Sequence, residues 1–492
     1  MFFALSGVYI ILPLLIFFVA FTKVYWAIIL SLVFTGSLVL ACRSIDKSKS
    51  IKLSVPYLAV LLTVCLLWAY IAGIGEFTWT TMDHTARYAI MNDLVEYDWP
   101  VFYDLGAQSN PAVREILGSS DTVAFAYYFF FWLVPALFGK LFGLTAGRVA
   151  LVIWSAIGLN LIILSLNFLQ KKPSVTALIL FFAFGGFDIV MYVIQEFILD
   201  TSSAFEGWNT EFYVHGNLYQ TMNTFNQAIP CWLLTSLLLS FPDKKHIGFI
   251  SSLTFCYSPW ATFGILPIAI CQLVKDKEGR RLKNILTPGN IVVPVAVLAV
   301  FGTFFTANAG ATGDKGFIWE FFGGDYIFML KCYLLYVIVE FGVWSLIVFK
   351  DQKRNPVFWT AVITLLVMPV WKMTEANDFL MRGTIAPIFV ITLYVLYKLD
   401  DSIAAVKKNG NDLKAVGVIA AVLVAGLTPL MLLLASVGLT RQIYQGTYED
   451  TLPKDYIVSF GDIADENFTE VTRRQVYVYD YETRPFYRIF GK

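Results

Sequence analysis

Charged side chains are scarce in this chain. They make up 15% of its 492 residues, where soluble domains carry about 25%. That scarcity excludes a soluble globular enzyme and a disordered chain. There is no basic excess either: 36 Lys+Arg balance 36 Asp+Glu, which excludes a nucleic-acid binder. Histidine occurs three times, at His84, His215 and His246, too few for a His-rich metal centre. The six cysteines (Cys42, Cys65, Cys231, Cys256, Cys271, Cys332) all lie in apolar stretches and form no C-x-x-C pair. A zinc site or a disulfide framework is therefore not expected. Nucleotide motifs are missing too. GATGDKG at 310–316 lacks P-loop spacing, no Gly-rich dinucleotide fingerprint follows a strand, and no Ser/His/Asp spacing stands out. An ATP-driven pump, a redox enzyme and a serine hydrolase are not indicated. The chain starts without a basic n-region or a small-residue cleavage site, so its first apolar run is expected to be a retained span.

What the chain has is apolar length. Hydrophobic residues reach 58% and the mean hydropathy is +0.66. Runs suited to membrane spans cover roughly 5–22, 24–42, 57–74, 148–169, 174–195, 227–241, 291–307, 326–349, 356–371, 383–399 and 415–437. Residues 247–274 are apolar as well, but Ser258-Pro259-Trp260 interrupts them, which predicts two half-spans forming a hairpin. The fold class expected is an all-α polytopic membrane protein with about 11–13 membrane segments.

Basic residues orient the segments. The loops 43–52, 170–173, 242–246, 275–283, 350–354 and 398–414 hold 20 Lys/Arg and eight Asp/Glu. The rest of the chain holds 16 Lys/Arg and 28 Asp/Glu. The first set reads as cytoplasmic, with the N-terminus on that side. Long segments then fall outside: 75–147, 196–226, 308–325, 372–382 and the tail 438–492. The alternation closes when the apolar stretch 123–141 lies at the outer interface. Treated as a span, that stretch would put Lys171 and Lys172 outside.

Three outer segments carry candidate chemistry. The first is MDHTARYAIMNDLVEYDWP, 82–100, where Tyr88, Met91, Leu94 and Val95 fall on one helical face. Asp83 reads as a general base desolvated at the bilayer edge, with His84 and Arg87 beside it. The plain alternative is that Asp83 caps the helix and pairs with Arg87 at i,i+4. The second segment, 196–226, is rich in carboxylates, amides and rings, which suit sugar hydroxyls and pyranose faces. Glu196, Glu211 and His215 are its substrate-binding candidates; a generic solvated loop is the alternative. The third is TEANDFLMRGTIAP, 374–387, in which Asn377, Asp378 and Arg382 sit at the mouth of a span. A guanidinium matches phosphate geometry bidentately, so Arg382 is the candidate for a lipid-linked phosphate, with Lys372 as second choice. A local Asp378–Arg382 salt bridge is the alternative.

The order of these features resembles the first outer loop of the GT-C superfamily of integral-membrane glycosyltransferases. A span precedes an Asp-containing juxtamembrane helix ending in Trp99-Pro100. An aromatic helix ending in Lys140-Leu-Phe142-Gly143 follows, and Arg148 opens the next span. The match covers 57–230; two extra spans precede that core, which gives 1–56, a core 57–437 and an outer soluble tail 438–492. The resemblance implies juxtamembrane helices in the first outer loop, an active site on the outer face of a plasma or inner membrane, and Asp83 as the catalytic acid of the pattern. Where the family often has Asp-Glu or Asp-x-Asp, this chain has Asp83-His84. No cofactor is certain from this pattern, and a divalent cation stays open.

The expected function is therefore sugar transfer from a polyprenyl-phosphate donor to a glycan, lipid or protein acceptor, with inversion at the anomeric carbon. A polysaccharide polymerase or ligase, or a lipid-linked-sugar transporter or flippase, is the alternative. Within the tail, QVYVYDYE at 475–482 alternates and predicts a strand.

Overall fold

The structure is a computed structural model and describes residues 2–45, 50–81, 84–105, 121–198, 205–241, 243–275, 277, 280–308, 314–374, 377–408, 410, 412–448, 459–461 and 475–492. About 76% of the described residues are helical. Two apolar helices, α1 (Phe2–Phe21) and α2 (Val24–Arg43), pack on each other. α3 (Val55–Ile71) starts where the Ser54 hydroxyl accepts from the Tyr57 backbone N–H and Pro56 presets the first turn. α4 (His84–Glu96), strands β1 (Phe102–Asp104) and β2 (Thr122–Phe125), and α5 (Leu133–Phe142) form the long connection that follows. α6 (Leu144–Gln170), α7 (Val175–Ala183), α8 (Asp188–Val193) and α9 (Asn217–Ser240) come next, then α10 (Ile247–Tyr257) and α11 (Pro259–Val274). The remainder runs α12 (Pro288–Ala307), β3 (Lys315–Phe317), α13 (Tyr326–Gln352), α14 (Pro356–Val367), β4 (Trp371–Met373), α15 (Asp378–Gly383), α16 (Ile385–Lys408), α17 (Leu413–Gln445), β5 (Tyr477–Val478) and α18 (Pro485–Ile489).

By length and composition, seven helical stretches among the described residues can cross a membrane, including α1, α2, α6, α12, α13 and α17. Their outward faces keep large apolar side chains exposed, such as Ile28 and Leu32 on α2 and Leu423 and Leu434 on α17. A contiguous exposed apolar belt of that kind fits a lipid bilayer.

Contacts sort the connections into two ends, here named upper and lower. At the lower end Asn167 donates to Tyr57 Oη (2.6 Å), Gln170 and Lys172 reach Asp400, and Lys398 reaches Asp351 (2.8 Å). Lys244 donates to the Gln272 carbonyl there, and Asn290 to that of Lys244. At the upper end β1, β2 and β5 form one antiparallel sheet, and β3 pairs with β4. Asn308 donates to the Gln475 carbonyl, and Trp79 N to Thr440 Oγ1 (2.9 Å). The basic loops are the lower set and the acid-rich segments the upper set, the same partition that the charge count makes.

The stretch 123–141 returns to the end it left. Its helix α5 has ten residues, about 15 Å long at 1.5 Å per residue. That is too short for a hydrocarbon core of about 30 Å. It starts from β2 and ends where Lys140 Nζ donates to the carbonyls of Val95 and Tyr97 (3.2 and 2.6 Å). Cysteines introduced at Ser109, outside the described residues, and at Thr145 are expected to react alike with an impermeant thiol reagent in whole cells, both being labelled. Labelling at Ser109 alone would show that 123–141 crosses.

The break at Ser258-Pro259 is also realised. α10 and α11 pack as a hairpin whose two ends meet at the lower end through Lys244 and Gln272. Ser258 caps α11 by accepting from Ala261 N and donates to Gln227 Oε1 on α9 (2.8 Å). Beyond the tip, α11 carries α15. A Cβ added to Gly264 would lie 1.9 Å from the Gly383 carbonyl oxygen, so only glycine allows that backbone approach.

The 475–492 segment is bound into the upper end and is not a separate appendage. Its strand is two residues long and completes the β1–β2 sheet. Lys23 N donates to the Phe490 carbonyl (2.8 Å), Lys23 Nζ to that of Arg488 (2.6 Å), and Trp26 Nε1 to that of Ile489 (2.9 Å). A second attachment lies at Asp93 on α4, whose buried carboxylate accepts from Tyr103 Oη (2.7 Å) and Phe460 N (2.9 Å). Burial pushes this carboxyl from 3.8 up to about 6, against the pull of those donors. An acid raised in the folded state holds a proton that the unfolded chain has lost between about pH 4 and 6. The folded state therefore loses stability as pH rises through that window, and the segment packed over Asp93 loses protection with it. Amide protection of 459–461 against hydrogen exchange, corrected for intrinsic rates, is expected to be higher at pH 5 than at pH 7.5. Asp93→Asn should abolish the difference, and pH-independent protection in the parent protein would contradict the assignment.

Candidate functional site

The third candidate segment builds a hydrogen-bonded part of the upper end. β4 leads through Thr374 (φ 68°) to Asn377, which adopts the left-handed region (φ 49°, ψ 49°). Asparagine tolerates that conformation better than most residues. Its carboxamide accepts from Leu380 N to cap α15, and its Nδ2 donates to the Glu211 carbonyl (2.8 Å). Asp378 follows, accepting from Thr374 Oγ1 (2.9 Å) and from Arg382 Nη2 (2.9 Å). Arg382 is buried, so this is not a solvated surface pair.

Two other segments converge on that pair. Tyr127 and Tyr128, just past β2, stack with ring centroids 3.8 Å apart, and Tyr127 Oη donates to Tyr128 Oη. Burial pushes both phenols up, and Asp378 adds to the rise. Arg87 on α4 pulls both down, and Arg382 pulls Tyr128 down, so both cations act on the same phenols. Arg87, Asp378, Arg382 and the two tyrosines thus form one electrostatic cluster drawn from three distant stretches of sequence.

Beside the cluster lies a cavity of about 520 Å³. Its lining holds Glu206, Gly207, Thr210, Glu211, Tyr213, His215, Tyr219 and Lys372. Lys372 is buried, donates to Glu211 Oε1 (2.8 Å) and stands 2.7 Å from its Oε2 as an ion pair. Its Nζ also stands 4.5 Å from the Phe321 ring centroid. The His215 ring lies 5.1 Å from that of Tyr213 and 4.5 Å edge-on from that of Tyr219. Burial holds the Glu206 carboxyl well above its usual range, Asp188 adds to the rise, and the Gly216 N–H that it accepts (2.9 Å) opposes it. Trp208 Nε1 donates to Glu340 Oε1 (3.1 Å). A Cβ on Gly186 would meet Glu340 Oε2 at 2.6 Å and Asp188 Oδ2 at 2.9 Å. The charges of α8 and α13 thus face each other and the loop.

The remaining sequence candidates divide. Asp83 lies outside the described residues. On either side of it, Thr81 Oγ1 donates to Asn223 Oδ1 (2.6 Å), and His84 Nε2 bonds the Met222 carbonyl on α9. The His84 ring sits near Tyr88 and Phe225 and does not line the cavity. Glu196 falls in the wide helical turn Ile194–Ile198 and does not line it either. Arg148, part of the motif that carries the resemblance, bonds Glu76 Oε2 (2.7 Å) and Asn92 (3.4 Å), so it locks α6 to the connection before α4. Among the described residues, no group of three or more His, Cys, Asp or Glu side chains is arranged to hold a metal ion. Tyr127, Tyr128 and Glu206 were not among the sequence candidates. Two adjacent tyrosines inside an aromatic run read as packing until their charged neighbours are known.

In comparisons with known proteins, no family model, no curated protein and no solved structure matches the chain.

Proposed function

We propose that the chain is a GT-C-like membrane glycosyltransferase that moves a sugar from a polyprenyl-phosphate donor to an acceptor at the outer face of a cell membrane. The observation that carries this is the cluster of Arg87, Arg382 and Asp378 with Tyr127 and Tyr128, beside a polar and aromatic cavity. Two guanidinium groups whose charges reach the same pair of phenols suit a phosphate. Carboxylates and rings suit a sugar. The acid-rich upper end is the outer one by the positive-inside rule, and the seven helical stretches long enough to cross, with shorter apolar helices such as α3 and α14, make up the membrane part. Nucleotide sugars stay in the cytoplasm, so the donor on this side is lipid-linked.

In the transfer, Asp83 takes the proton of an acceptor hydroxyl. The freed oxygen attacks the anomeric carbon, and the anomeric C–O bond to phosphate breaks from the opposite face. The polyprenyl phosphate departs with the electron pair and the configuration inverts. Arg382 stabilises the charge that develops on the leaving oxygen, and Arg87 is its partner. Lys372 is already neutralised by Glu211, so the phosphate role assigned to it as second choice falls to Arg87.

Purified protein in lipid nanodiscs, supplied with a panel of labelled polyprenyl-phosphate hexoses and pentoses and with membrane-extracted acceptors, tests the reading. Label should move to acceptor with release of polyprenyl monophosphate. Release of polyprenyl diphosphate would indicate a polymerase or ligase. Donor moved across the bilayer uncleaved would indicate a flippase. Either result, or no turnover of the panel, overturns the proposal.

A further inference from the structure

We infer that the cavity walled by Glu206, Glu211, Tyr219 and Lys372 is a subsite for an uncharged pyranose. Its place in a reaction rests on the transferase reading above, but its ligand class rests on the cavity alone. Volume comes first. About 520 Å³ falls within the roughly 300–1,000 Å³ typical of small-molecule pockets, enough for a mono- or disaccharide.

Charge decides the class. Lys372 is the only Lys or Arg among the described lining residues, and both its short contacts go to one carboxylate, Glu211. A buried ammonium so committed cannot turn to a uronate or a phosphate without stranding Glu211, which is costly in a desolvated site. Glu206, which takes the Gly216 N–H, brings no positive charge to the lining. An anionic ligand would find the one cation of the described lining already paired with Glu211.

A neutral polyol meets something different. The fixed Lys372–Glu211 pair presents a donor and an acceptor side by side, the pattern that vicinal hydroxyls need, since each hydroxyl both gives and takes a hydrogen bond. In the same lining Tyr213, His215 and Tyr219 offer ring surface to the C–H face of a pyranose and polar atoms to its edge. The subsite also adjoins the phosphate cluster. Asn377, which donates to the Glu211 carbonyl, immediately precedes Asp378, the partner of Arg382. A sugar seated on Glu211 and Tyr219 would therefore lie next to the group that receives the leaving phosphate.

The test is equilibrium binding to the full-length protein in nanodiscs. The ligands are methyl glucoside, galactoside and mannoside, with methyl glucuronide and glucose 1-phosphate as charged counterparts. At least one neutral glycoside should bind, and its charged counterparts should bind about tenfold or more weakly, the cost of one unsatisfied polar contact. Tyr219→Ala should weaken the neutral ligand about tenfold, while Tyr219→Phe, which keeps the ring, should stay within about threefold. The Phe variant guards against misfolding as the cause. Tighter binding of the uronide or phosphate, or an unaffected Tyr219→Ala variant, overturns the inference. Transfer by the parent protein with no glycoside bound also overturns it and leaves the transferase reading standing. Glycoside binding without transfer from any donor supports the subsite and overturns the transferase reading.

Discussion

Replacing Asp83 by asparagine is expected to lower sugar transfer by about two or more orders of magnitude, the scale on which a general base contributes. Asparagine keeps the size and the capping ability of aspartate, so α4 should still start at His84. The contacts flanking position 83, Thr81 to Asn223 and His84 to the Met222 carbonyl, do not involve its carboxylate and remain. Expression, membrane insertion and melting temperature should therefore match the parent protein while turnover collapses. The measurement is initial rate in nanodiscs at saturating donor and acceptor. Turnover close to that of the parent would leave Asp83 as a helix cap alone.

The second large effect belongs to Arg382. Its bond to Asp378 uses Nη2 alone, so a lysine at this position can keep that contact and the positive charge. What lysine loses is the planar fork. Charge-assisted hydrogen bonds contribute about 1.5–3 kcal/mol, or one to two decades in affinity. Arg382→Lys should therefore raise the KM for polyprenyl-phosphate sugar about 10- to 100-fold, with little change in melting temperature. Asp378→Asn removes the charged partner of a buried guanidinium but keeps an acceptor for Thr374. Its effect should appear first in stability, below the roughly 3–5 kcal/mol of a fully buried broken pair, since Asp378 is one-third exposed. If Arg382 served only to hold α15 together, both variants would shift the melting temperature alike and leave the donor KM unchanged.

What could be read from the sequence depended on how local the cause was. The break between α10 and α11 was legible because serine and proline at 258–259 act on their own backbone, through a cap and a missing donor. The two-ended sorting of loops was legible because charge is a property of composition. The Asp378–Arg382 pair was legible at i,i+4, but its burial depends on α15 resting on α11 through Gly264 and Gly383, which no local pattern announces. Lys372 read as a second phosphate candidate because its partner Glu211 is 161 residues away. The strand at 477–478 was foreshadowed by alternation, though longer than it is, and its pairing with β2 is a tertiary fact. Tyr127 and Tyr128 were hidden for the same reason: an aromatic residue in an apolar run changes meaning only when Arg87 and Asp378 arrive beside it.

The clasp between the α1–α2 turn and residues 488–492 sets an order of events during biogenesis. The Lys23 ammonium and the Arg488 carbonyl are separated by 465 residues. At synthesis rates of about 5–20 residues per second, the first helical pair waits roughly 20–90 seconds for its partner to be made. Throughout that interval Lys23 and Trp26 are open to other partners, and β2 lacks its neighbour β5. The upper end thus closes late, after the bundle beneath it has had time to assemble. Loss of the 475–492 segment should accordingly strike quality control before it strikes chemistry, leaving an inserted chain with an unzipped edge for membrane proteases to find.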